Sequence, residues 1–169
     1  MQVLAQKLFD YQPLLVDKNE ITPEAKLIPI YIGMVFFNRA GEVLVKEDED
    51  GVTAIHVENI TDRDYTKGNF IISAISRAAW RYLSEDLEIK VKNVSDLLGE
   101  DKLITLMSGS YGGDIMAKYH ILQCYVDEPV DKENFKFMSI KQVRRQLKET
   151  SLDYHYLNQT NLTSFIEPV

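Results

Sequence analysis

The feature that most constrains this fold is an amphipathic pattern over residues 71–89, IISAISRAAWRYLSEDLEI. Its apolar positions recur at helical spacing, at Ile71, Ile75, Ala78, Ala79, Leu83 and Leu87. Such spacing puts one continuous apolar stripe on a helix, with charged residues on the other face. Asn69 stands just ahead of the pattern as a candidate N-cap. The pattern predicts a helix over residues 69–87 that packs Ile75, Ala79 and Leu83 against a sheet.

The rest of the chain alternates short apolar runs with turn residues. Residues 27–38 (LIPIYIGMVFFN) predict a buried strand, and residues 42–46 predict its hairpin partner. Further strands are predicted at residues 52–57, 89–94, 103–107, 115–126 and 135–138. The run at 115–126 is apolar on both faces and should be central. Ser139 should cap a second helix, which presents Ile140, Val143 and Leu147 to the core.

This order of elements predicts one α/β (α+β) domain, with helices packed on a mixed sheet. A core at residues 28–148 follows an N-terminal extension, 1–27, and precedes a C-terminal tail, 149–169. Neither flanking segment has a clear pattern.

Charge and cysteine content narrow the range of partners. The net charge is −7 among 169 residues, which argues against nucleic acid as the main partner. The single cysteine, Cys124, excludes an internal disulfide and any zinc site built from cysteines. No apolar run reaches membrane length, so we expect no membrane partner and a cytoplasmic location. These properties are compatible with a homodimer.

The segment AAWRYLSEDLEI resembles the core of the Nudix signature, in which Arg-Glu-aliphatic-any-Glu-Glu-any-Gly-aliphatic closes the motif. In this alignment Arg81 takes the arginine position, Glu85 and Asp86 the paired acids, and Ile89 the last aliphatic residue. The flanking segments YIGMVFFNRAGEVLVKED and FKFMSIKQVRRQL resemble the opening and closing parts of such domains. The resemblance covers most of residues 28–148 and implies a Nudix-like α/β/α sandwich around a mixed β-sheet.

The signature is degenerate in this chain. Tyr82 stands at the first metal-binding glutamate, and Glu88 stands at the late glycine. The upstream glutamate position falls on Ser73 and the first glycine position on Lys67. Residues 56–58 resemble a remnant of the segment that normally enters the motif.

The resemblance also implies candidate site residues. Arg81, Glu85 and Asp86 would be catalytic, and Glu85, Asp86 and the loop acid Asp114 would bind Mg²⁺ or Mn²⁺. Glu58, Trp80 and Tyr82 would contact the substrate. Each has a structural alternative: Asp114 as a turn residue, Glu58 as a surface acid, and Trp80 and Tyr82 as packing residues. Arg81 could instead clamp Glu85, its neighbour four positions on.

Three histidines, His56, His120 and His155, are too far apart in sequence to suggest a local metal pair, so we expect structural roles for them.

Two functions of different classes are consistent with these residues. One is a divergent metal-dependent hydrolase (a pyrophosphohydrolase) of nucleoside diphosphate-linked compounds. The other is a catalytically inactive module of the same fold, a pseudoenzyme that binds a nucleotide-like small molecule or a protein partner. Two acids hold a magnesium ion only weakly, so Tyr82 and the missing upstream glutamate favour the second function. Glu85 and Asp86 next to Arg81 favour the first function. Tyr82→Glu is predicted to restore a third metal ligand if the scaffold stays intact.

Overall fold

The computed structural model describes residues 1–8, 10, 12–66, 71–89, 104–108, 117–126, 129–148 and 151–159. Within them lie the strands β1 Gln2–Lys7, β2 Leu14–Asp17, β3 Leu27–Phe37, β4 Val43–Asp48, β5 Gly51–Thr53, β6 His56–Asn59, β7 Ile104–Ser108, β8 Ala117–Tyr125 and β9 Phe135–Met138. The helices are α1 Ile71–Arg81, α2 Ile140–Gln146 and α3 Leu152–Gln159. A π-helical turn, Tyr82–Asp86, continues directly from α1, and short 3₁₀ turns occupy Lys18–Glu20 and Pro23–Ala25.

Strand β3 is the centre of a mixed sheet, as its apolar sequence predicts. It runs parallel to β8 from Ile30 to Phe37, and it pairs in antiparallel fashion with β1, β4 and β6. Strand β8 lies between β3 and β7, so its predicted central position is confirmed. Such a strand buries both faces and needs cover on both.

Helices on opposite faces supply that cover. The even-numbered residues of β3, such as Ile32 and Phe36, share one core with α1, while Val35 and Phe37 share another with α2 and α3. This arrangement confirms the predicted α/β/α layers. Ser139 caps α2 by accepting a hydrogen bond from the backbone N–H of Gln142, as predicted.

Helix α1 buries the predicted stripe. Ile75, Ala79 and Leu83 are inaccessible or nearly so, and they pack in the core that contains β3. Small alanine side chains let the helix approach the sheet closely, so Ala79 leaves no room for a larger residue.

Several boundaries differ from the predictions. The α-helical part of the central helix ends at Arg81 rather than near residue 87, because a π turn follows it. Residues 52–57 form parts of two strands, β5 and β6. The tail begins as helix α3, and the Asp153 carboxylate there accepts hydrogen bonds from the backbone N–H groups of Ala54 and Ile55.

The N-terminal extension is part of the sheet. Strand β1 pairs with both β2 and β3, and Val3, Ala5 and Val16 form a small core of their own. The predicted Asn69 cap, residues 90–94 of the predicted strand at 89–94, and the loop acid Asp114 lie outside the described residues. Among the described helices, none is long and apolar enough to cross a membrane.

Candidate functional site

The motif-bearing helix ends in an unusual backbone geometry. In the π turn, Leu87 N–H donates to the Tyr82 carbonyl at 3.0 Å, and Ile89 N–H donates to the Leu83 carbonyl at 2.9 Å. Glu88 follows with φ of 56°, in the left-handed region that favours glycine. The backbone therefore keeps, with a glutamate, the conformation that a glycine would adopt most easily at this signature position.

Lys132, in the connection before β9, stabilises this helix end. Its ammonium donates a hydrogen bond to the Asp86 carbonyl and lies 3.8 Å from a Glu88 carboxylate oxygen. A cation at a helix C-terminus balances the negative end of the helix dipole.

Tyr82 points into the core rather than toward solvent. Only 8% of its surface is exposed, and its ring stacks on Phe36 with centroids 6.0 Å apart. Its hydroxyl lies 2.7 Å from Nδ1 of His56, whose Nε2 lies 3.0 Å from the Leu44 carbonyl oxygen. A carbonyl only accepts, so Nε2 carries the proton and Nδ1 accepts from the tyrosine hydroxyl.

Burial keeps both rings of this hydrogen-bond chain uncharged. Burial lowers the pKa of His56 to about 4. Burial, together with the nearby Asp86 and Glu58 carboxylates, raises the pKa of Tyr82. Tyr82 therefore fills the first glutamate position with a neutral group that is already bonded to another side chain.

Arg81 does not clamp Glu85, contrary to one of the sequence interpretations. Its Nη2 donates to Asp64 Oδ2 at 2.8 Å and to the Asn59 carbonyl at 3.0 Å, while Nη1 lies 3.4 Å from Glu58 Oε2. Asp64 is 3% exposed, so this is a largely buried ion pair. These contacts use the Arg81 guanidinium to hold Asp64, Asn59 and Glu58 together within the protein.

Glu85 instead pairs with Arg63 at 3.2 Å, and both side chains are largely exposed. An exposed pair of this kind contributes little to stability and opens readily.

Glu58 lies close enough to Asp86, at the helix end, for the two negative charges to interact. Burial raises the pKa of Glu58, and the nearby Asp86 carboxylate raises it further, while Arg81 opposes both effects. A second negative charge beside a partly buried carboxylate creates a place where a cation is favoured. Glu58, expected at the substrate, thus joins Asp86 as a candidate cation ligand.

The remaining candidates are dispersed or not described. Trp80 is 46% exposed and lies on the outward face of α1, so Trp80 and Tyr82 do not face a common ligand. Asp114 and the side chain of His155 lie outside the described residues. His120 is buried, in keeping with the expected structural role.

The residues present do not fit a full metal cluster. Within the described part of the chain, no three His, Cys, Asp or Glu side chains are placed to hold one ion together. Glu58 and Asp86 supply two carboxylates, enough for a hydrated divalent ion held weakly.

Sequence interpretation missed Asp64 and Arg63, because residues 58–68 read as a polar loop. The spacing Thr61-x-x-Asp64 was an available signal, since a threonine and an acid three residues apart often bond to each other's backbone.

Comparisons with known proteins add a structural relationship only. No protein-family profile matches the sequence, and no curated protein matches it either.

Among solved structures, Tm1382, provisionally assigned as a Nudix hydrolase, has a TM-score of 0.60 at 8% identity and covers 98% of both chains. The Nudix domain of NrtR from Shewanella oneidensis, in complex with ADP ribose, has a TM-score of 0.56 at 11% identity, covering 84% of this chain and 88% of that one. The dihydroneopterin triphosphate pyrophosphohydrolase of E. coli has a TM-score of 0.52 at 13% identity, covering 80% and 96%. The structural similarity to these proteins establishes a shared fold. Sequence identities this low leave the function open.

Proposed function

From the Nudix fold of this chain, we propose that it is a binding module for a nucleotide-like ligand that contains a diphosphate. We propose further that it hydrolyses such ligands slowly or not at all. The observation that carries the proposal is the 2.7 Å hydrogen bond between Tyr82 and His56. It commits the first glutamate position to the core, where no carboxylate can help to hold a metal or activate water.

Ligand binding would use one Mg²⁺ or Mn²⁺ ion. Glu58 and Asp86 carry the adjacent charges that favour a cation, and the exposed Glu85 can join them when its contact with Arg63 opens. When bound, the ion supplies positive charge that offsets the negative charge of phosphate oxygens. Without it, the acids around the helix end would repel a diphosphate.

The choice of probe follows from one structural relative. The NrtR domain is in complex with ADP ribose, which contains a diphosphate. ADP ribose is therefore the first ligand to test against this chain.

Calorimetry with Mn²⁺, followed by ADP ribose in its presence, tests the proposal. We expect weak Mn²⁺ binding, ligand binding that requires the ion, and loss of both in Asp86→Asn. Glu24→Gln, which alters an exposed acid in the Pro23–Ala25 turn, is the matched control and should bind as the wild type does. Absence of both Mn²⁺ and ADP ribose binding in the wild type would reject the proposal.

A second candidate is a divergent metal-dependent hydrolase with substantial turnover. It is favoured by the retained register of Arg81, Glu85 and Asp86 with the left-handed Glu88. Robust release of nucleotide from a diphosphate substrate by the wild type, abolished by Glu85→Gln, would establish this activity and replace the module proposal.

A further inference from the structure

The turn at residues 60–65 connects three parts of the molecule that are distant in sequence. It follows β6, which carries Glu58, and it precedes α1, which carries Arg81. Inside the turn, Asp64 Oδ2 accepts hydrogen bonds from the backbone N–H and the hydroxyl of Thr61, at 3.0 and 3.1 Å. The backbone N–H groups of Asp64 and Tyr65 both donate to the Thr61 carbonyl at 3.0 Å.

The signature helix holds this turn from one side. Arg81 forms the ion pair with Asp64, and Arg77 Nη1 donates to the Asp64 carbonyl at 3.1 Å. Arg81 contacts Glu58 at the same time, so the position of the turn and the position of the Glu58 carboxylate are linked through one guanidinium.

Strand β1 holds the turn from the other side. Leu4 N–H donates to the Ile60 carbonyl at 2.7 Å, and Asp62 N–H donates to the Gln2 carbonyl at 3.2 Å. Val3 and Thr61 form a bridge between these two contacts. Leu4 is fully buried in the same core as α1, which fixes β1 in place.

We propose that the N-terminal hairpin, β1 with β2, is a positioning element of the candidate site. By fixing the turn, the hairpin fixes the position of Asp64. The Asp64 carboxylate orients the Arg81 guanidinium, and Arg81 in turn holds the Glu58 carboxylate near Asp86. Naming the region a ligand site rests on the proposed function, whereas the mechanical link between hairpin and turn does not.

A single substitution cuts one contact of this link without disturbing the turn. None of residues 61–65 has a positive φ, and the Asp64 N–H bonds to the Thr61 carbonyl, so residues 61–64 form a type I turn. Proline is favoured at the second position of such a turn, which Asp62 occupies. Asp62→Pro removes the N–H that bonds Gln2, while Asp62→Ala loses the same exposed carboxylate and keeps the N–H.

Two measurements on the ligand-free protein compare these variants. Amide hydrogen exchange at Leu4 should be faster in Asp62→Pro than in Asp62→Ala by about fivefold, the factor expected for one lost hydrogen bond. The Arg81 Nε–H, which donates to Asp64 Oδ1 at 3.3 Å, should likewise exchange faster in the proline variant, because a looser turn holds the guanidinium less firmly. The affinity for Mn²⁺ should also be lower in Asp62→Pro than in Asp62→Ala.

Equal exchange at the Leu4 N–H and at the Arg81 Nε–H in the two variants would overturn the positioning proposal. These readouts need no ligand, so they decide it even if the wild type binds neither Mn²⁺ nor ADP ribose. A wild type that binds neither Mn²⁺ nor ADP ribose would count against the proposed function and not against the positioning proposal.

Discussion

Replacing Tyr82 by phenylalanine tests whether this residue is a structural member of the core. The ring keeps its shape and its stacking on Phe36, so the substitution creates no cavity. What it removes is the hydroxyl that donates to His56, and it leaves Nδ1 of a 4% exposed histidine without a partner. An unsatisfied buried acceptor costs about 1–3 kcal/mol, and we expect the free energy of unfolding to fall by that amount.

Tyr82→Glu should cost more. It also removes an aromatic contact worth about 0.5–1.5 kcal/mol, and it brings a third carboxylate beside Asp86 and Glu58. We expect a loss of about 3–5 kcal/mol, a large share of the 5–15 kcal/mol that stabilises most domains. The gain of a metal ligand that we predict for Tyr82→Glu therefore depends on whether the scaffold withstands this loss, which the unfolding assay measures directly.

Urea unfolding followed by circular dichroism measures both variants. Tyr125→Phe is the matched control, because its hydroxyl accepts a hydrogen bond from Arg39 at an exposed position, where its loss should cost under about 0.5 kcal/mol. If Tyr82→Phe were as stable as Tyr125→Phe, the hydrogen bond to His56 would carry no structural weight and the reasoning would be refuted.

Three further outcomes can be measured by the same unfolding assay. The folded pKa of His56, about 4, lies below its ordinary value of 6.5, so the unfolded chain takes up the proton first. Stability should therefore fall as the pH drops from 6.5 toward 4, and His56 alone should account for about 3 kcal/mol of this loss. His56→Gln should reduce this slope without abolishing it, because burial also lowers the pKa of His120 to about 4. Glu88→Gly should be more stable than Glu88→Ala by about 1 kcal/mol, since only glycine adopts the left-handed conformation freely; equal stability would contradict that geometry. Ala79→Leu should cost about 1–3 kcal/mol by overpacking α1 against the sheet, and a neutral effect would argue against the close approach.

Local signals in the sequence were enough to locate most elements. The 3.6-residue period located α1, the apolar runs located β3 and β8, and Ser139 marked the start of α2. The π turn has no such signal, since no proline or glycine interrupts residues 82–86, and it moved the end of the helix by several residues. The place of β1 in the sheet depends on pairing with β3 residues that are twenty or more positions away, and no local sequence pattern shows such a pairing.

The same limit explains the errors at the site. Arg81 has an acid four residues along the helix, and helical spacing alone makes Glu85 its natural partner. In the fold, Asp64 is seventeen residues away in sequence but lies buried beside the guanidinium, where an ion pair loses less to solvent screening. The exposed neighbour then pairs with Arg63 instead.

Tyr82 is best understood together with His56, which lies 26 residues upstream. When the sequence is aligned with the signature, Tyr82 is seen only as the loss of a metal-binding glutamate. In the structure its hydroxyl supplies the one hydrogen bond that a neutral, buried histidine still needs once Nε2 has bonded the Leu44 carbonyl. A carboxylate at position 82 would face the lone pair of Nδ1 and would require a second proton on the histidine, which burial disfavours. The two side chains therefore form one structural unit, and we expect Tyr82→Glu to bind a metal well only when His56 is replaced as well.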